Sequence, residues 1–71
     1  MSDIKMLQQK IDESGMTITF IAEKAGIVRE TLYNRMKGVG EFTASEIVGL
    51  SKVLKLSAKE RNHIFLNEKL N

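Results

Sequence analysis

Between residues 29 and 37 the chain places Arg29, Glu30, Tyr33, Asn34 and Lys37, whose side chains can all bond to planar donors and acceptors. A guanidinium can fork onto guanine O6 and N7, a carboxamide can pair with adenine N6 and N7, and a carboxylate can accept from cytosine N4. At about 100° per residue these five positions fall within an arc of about 140° on a helix. Val28, Leu32 and Met36 gather on the other side as an apolar face. Arg35 lies at the edge of that face, where its stem should run along the core and leave its head free. Glu30 has a second reading, because a carboxylate near a helix N-terminus gains about 0.3–1 kcal/mol from the helix dipole.

Positioning such a face needs a helix 29–36 braced from behind, and the preceding residues supply the brace. Thr17 is a capping residue ahead of Ile18–Ala25, and Gly26 then closes that helix with a tight reversal. Phe20 and Ile21 are expected to face inward. Ala22 either lets another helix backbone approach closely or is simply a good helix former.

Upstream, Ser2 or Asp3 should cap a helix reaching Ser14, with a stripe of Ile4, Leu7 and Ile11 and a left-handed stop at Gly15. Downstream, Lys37–Glu41 reads as a loop. Thr43-Ala-Ser-Glu46 is a capping box for a fourth helix, with Phe42 and Ile47 as its hydrophobic staple. Ser57-Ala-Lys-Glu60 repeats the signature and starts a fifth helix at about residue 58. The chain has no proline and no sustained β-branched alternation, so the fold class is all-α.

Seventy-one residues are expected to form a single domain, 1–71, with one modest core. An internal catalytic cavity would compete with that core, and no base lies in reach of a nucleophile on any expected face, so no enzyme is expected. His63 has no second ligand at metal spacing and reads as a surface histidine. The Gly38-Val-Gly40 segment follows a helix instead of a strand, unlike a nucleotide-cradling loop. No metal, cofactor or small-molecule effector is expected. Without cysteine there is no disulfide framework, which suits a reducing compartment; with no membrane-length apolar run and no signal-peptide pattern, a cytoplasmic protein is the expectation. Net charge is +2, a basic excess that can serve phosphate binding and is equally an ordinary solubility charge.

The segment Met16–Gly38 resembles the helix-turn-helix of the lambda-repressor and Cro type, with the motif at 17–38. The likeness extends through Phe42–Phe65 to small phage-associated regulators of Gram-positive bacteria. It implies a five-helix lambda-repressor-like domain whose second motif helix, 29–36, lies in the major groove of duplex DNA. Carried over by position, the base-reading residues are Arg29, Glu30, Tyr33 and Asn34. Phosphate contacts would come from Thr17 and Thr19, from Lys37 and Gly38, and from Thr43 and Ser45. Relatives often carry Gln where this chain has Ile18 and Ser where it has Val28, so a phosphate clamp and a hydroxyl cap are missing. They often bury an Arg–Glu pair where this chain has Ile11 and Met36, an apolar replacement that should bring those two side chains together.

The resemblance further implies a transcription regulator of phage or prophage type, such as a repressor, binding as a homodimer. On helix five Ala58 and Phe65 share one side, with Ile64 on one flank and Leu66 and Leu70 on the other, an apolar arc wider than one small core requires; Ile64, Leu66 and Leu70 are the dimer candidates, the alternative being that Leu66 caps the core edge and Leu70 frays. The alternative is a protein-interaction module on the same fold, an antirepressor-like or regulator-binding protein. Glu30, the missing Gln at Ile18 and the small net charge favour it; Arg29, Asn34 and Lys37 on one face favour DNA.

Overall fold

In the computed structural model, which describes residues 2–66, the chain forms five helices: α1 (Ile4–Ser14), α2 (Ile18–Ala25), α3 (Arg29–Met36), α4 (Ala44–Val53) and α5 (Ala58–Phe65). The described residues are all helix, turn and loop, as composition and spacing require.

The starts follow from local chemistry. Asp3, Thr17, Thr43 and Ser57 each accept a backbone N–H three residues on, and the last two complete capping boxes with Glu46 and Glu60. Each bond satisfies a helix donor that has no intrahelical partner. At α3 the corresponding residue is Val28, which makes no side-chain cap bond.

Three of the ends share one geometry. After α2, Ile27 N–H donates to Ala22 O at 2.9 Å; after α3, Val39 N–H donates to Asn34 O at 2.9 Å; after α4, Leu56 N–H donates to Ser51 O at 2.9 Å. This reversal needs a left-handed residue just past the helix. Gly38 supplies it after α3 with φ 88°, but after α4 the same duty falls on Lys55 with φ 53°.

Every helix contributes to one core. Leu7, Ile21, Leu32, Leu50 and Ile64 are fully buried, joined by Ile11, Ala22, Ile27 and Phe65. Ile11 is inside this cluster and Met36 packs at its margin. On α2 the inward stripe is Ile18, Ile21, Ala22 and Ala25, spaced i, i+3, i+4 and i+7. Phe20 lies about 100° away from Ile21 on that helix. It is therefore 43% exposed, contrary to the expected inward placement, and Lys24 Nζ sits 5.4 Å from its ring centroid. Ala22 is buried, and a close approach between α2 and α4 occurs at Gly49, where a Cβ would overlap the Ala25 carbonyl oxygen.

The chain closes on itself through α5. Asp3 N–H donates to Ile64 O at 2.7 Å, and His63 Nε2 lies 3.2 Å from Asp3 Oδ2. His63 is thus half-buried at the α1–α5 seam and not a plain surface residue. Lys10 pairs with Glu60 across the same seam. Phe42 and Phe65 meet edge to face with centroids 5.1 Å apart, tying the segment before α4 to α5.

Candidate nucleic-acid interface

Helix α3 is anchored from behind by Leu32, which is fully buried, and by Ile27 in the turn that precedes it. With that side fixed, Arg29, Glu30 and Tyr33 face solvent and Asn34 is half-buried. Arg29 Cζ lies 5.9 Å from the Tyr33 ring centroid. A cation held over an aromatic face at an exposed site contributes about 0.5–1 kcal/mol, enough to bias the guanidinium toward one orientation while its donors stay open. Glu30 stands in the first turn, consistent with its dipole-favoured reading and leaving its carboxylate on the same surface. Val28, placed by helical angle on the apolar face, is 70% exposed. It precedes the helix with extended backbone, so the helical angle does not apply to it.

The donor segments flank this face in sequence. The Thr17 hydroxyl accepts from Phe20 N–H at 3.1 Å, so it caps α2 and keeps its own hydroxyl proton for an outside acceptor. Thr19, in the first turn of α2, is exposed. Lys37 is exposed at the end of α3; Gly38 follows it, but its N–H donates to Arg35 O at 3.0 Å and is not open to a phosphate, contrary to expectation. At the start of α4 the capping box engages two N–H groups: Thr43 N–H donates to Glu46 Oε1 at 2.9 Å and Glu46 N–H to Thr43 Oγ1 at 3.2 Å. The first-turn donors left over are those of Ala44 and Ser45. Ser45 Oγ lies 3.3 Å from Thr43 Oγ1, which brings the two expected side chains together.

Arg35 differs from expectation. Its head is not free: Nε lies 3.4 Å from Glu46 Oε1 and Nη1 donates to Val39 O at 3.3 Å. Both partners are shielded, Arg35 being 20% and Glu46 14% exposed at the side chain. A guanidinium at the margin of a core is more stable paired than reaching past it. Spacing carries no signal for Glu46 as an ion-pair partner; for Gly49 as a packing residue the signal is a glycine inside an otherwise helical stretch.

No protein-family model matches this chain, and neither do curated proteins or solved structures.

The remaining residues divide sharply. Ile64 is fully buried in the chain's own core, where its side chain packs in the seam, so it cannot belong to the dimer surface expected of it. Leu66 is 60% exposed and stays available. Leu70 lies outside the described residues. Among the described residues no group of three His, Asp or Glu side chains could hold a metal ion, and no helix is long and apolar enough to cross a membrane.

Proposed function

We propose that this chain is a sequence-specific duplex-DNA-binding transcription regulator of phage or prophage type, with a lambda-repressor-like helix-turn-helix formed by α2 and α3. One observation carries the reading: α3 turns Leu32 fully inward while it presents Arg29, stacked over Tyr33, together with Glu30 on the outside. A helix buried by one residue row and polar on the opposite face is what the major groove admits. Arg29 and Asn34 read base edges, Tyr33 steadies Arg29, and Glu30 reads cytosine or rejects other bases. Lys37, Thr17, Thr19 and the first turn of α4 around Thr43 and Ser45 meet phosphates. The protein acts as a homodimer on two half-sites, with Leu66 at the contact, and performs no catalysis.

A second reading, a protein-interaction module, is favoured by Val28 and Val39, which are 70% and 58% exposed beside the polar face. Binding to a mixed-sequence duplex across a salt series separates the two. DNA binding requires an affinity that falls as a power of salt concentration. No binding at low salt selects the protein partner.

A further inference from the structure

We propose that Arg35 is a positioning residue of the interface: it fixes the end of α3, the loop after it and the first turn of α4 relative to one another, so that phosphate donors on both sides of the loop grip one strand together. This rests on the DNA-binding reading above.

Three contacts converge on this side chain. Arg35 Nε lies 3.4 Å from Glu46 Oε1, the same oxygen that accepts Thr43 N–H at 2.9 Å, so the guanidinium is coupled directly to the cap of α4. Arg35 Nη1 donates to the Val39 carbonyl at 3.3 Å, which ties down the loop. A Cβ on Gly40 would overlap Nη1, so the loop backbone closes directly over the guanidinium. The Lys37 ammonium and the Ala44–Ser45 donors therefore sit on either side of one clasp.

Electrostatics adds a second duty. Glu46 is required by the capping box, yet its carboxylate stands at the helix start where a phosphate would approach. Arg35 cancels that charge at close range. With Nε and Nη1 engaged by Glu46 and Val39 and its side chain mostly shielded, Arg35 is poorly placed to bind phosphate itself.

The test uses Arg35→Met, which keeps the stem and removes the head, and Glu46→Gln, which retains a capping-box side chain and removes the ion pair. Each variant and the double variant are titrated with a mixed-sequence duplex at low salt, well below their melting temperatures. A positioning role predicts that each single variant binds about five- to tenfold more weakly, and that the double variant is no weaker than the worse single. It also predicts faster amide exchange at Val39–Glu41 in the free single variants, with the α1 and α5 core amides unchanged. The inference is overturned if Arg35→Met lowers the salt slope by about 0.9 while Glu46→Gln binds more tightly, the signature of a direct phosphate ligand. It is equally overturned if both variants match the wild type in affinity or loop exchange. Failure of the wild-type chain to bind any duplex at low salt overturns the DNA-binding reading itself, and this inference with it. If Arg35→Met does not fold, Glu46→Gln alone decides through the same two measurements.

Discussion

Gly49 of α4 lies so close to the carbonyl oxygen of Ala25 that a methyl group on its Cα would overlap that oxygen. Two effects compete when it is replaced by alanine. Helix propensity favours alanine by about 1 kcal/mol. Forcing the α2 and α4 backbones apart in a filled core costs typically about 1–3 kcal/mol and occasionally more. Because the obstacle is a backbone carbonyl and not a movable side-chain tip, separation is the larger effect. Gly49→Ala is expected to lower unfolding free energy by up to about 2 kcal/mol in urea melts. A stabilised variant would show that the two helices do not meet at this point.

Lys55 offers the opposite result. It occupies the left-handed position of the α4 terminus, with φ 53°, where the other termini of this type use glycine. A left-handed residue with a side chain costs about 1–2 kcal/mol, partly offset because glycine loses more entropy on folding. Lys55→Gly should therefore raise stability by about 0.5–1 kcal/mol in the same melts.

The acid limb of stability should depend on Glu60. Its hydrogen bond from Lys10, and secondarily that from Ser57 N–H, lowers its pKa from 4.5 to about 2. A carboxylate depressed in the folded state contributes stability above its unfolded pKa, and that stability is lost as pH falls through the folded value. Melting temperature should thus decline between about pH 4.5 and pH 2, and Glu60→Gln should flatten this part of the profile. Lys10 is shifted upward, chiefly by the same hydrogen bond. Its share of stability is complete below 10.5 and is lost only above that, so the neutral range should be flat with respect to this pair.

What the sequence made legible was local. Capping residues act within one turn, so Thr17, Thr43 and Ser57 could be assigned from their neighbours, and the capping boxes at Glu46 and Glu60 with them. The polar face of α3 followed from spacing alone. Nonlocal arrangements were not legible. Arg35 finds Glu46 eleven positions along the chain, across a loop whose path periodicity does not fix. Gly49 acquires its role only when α4 lands on the end of α2. Ile64 was assigned outward because the apolar arc of α5 is wide and its spacing does not say which edge packs; the Asp3–Ile64 backbone bond settles that by drawing this edge against α1. His63 was misplaced for the same reason, since its partner Asp3 belongs to the far end of the chain.

On the interface, two substitutions should separate phosphate binding from base reading. Lys37→Ala is expected to weaken binding to all duplexes alike and to reduce the salt slope by about one unit. Asn34→Ala should cost about 1–3 kcal/mol on a selected target duplex and little on mixed sequence. Uniform losses from both would remove base reading from Asn34.

The most direct test of DNA binding through α3 is a map of amide chemical-shift changes in the full chain on adding a mixed-sequence duplex at low salt. The expected result is a patch confined to Thr17–Thr19, Arg29–Gly38 and Thr43–Ser45, with the α1–α5 seam unmoved. Shifts centred instead on Lys52–Arg61, or none at saturating duplex, would contradict it.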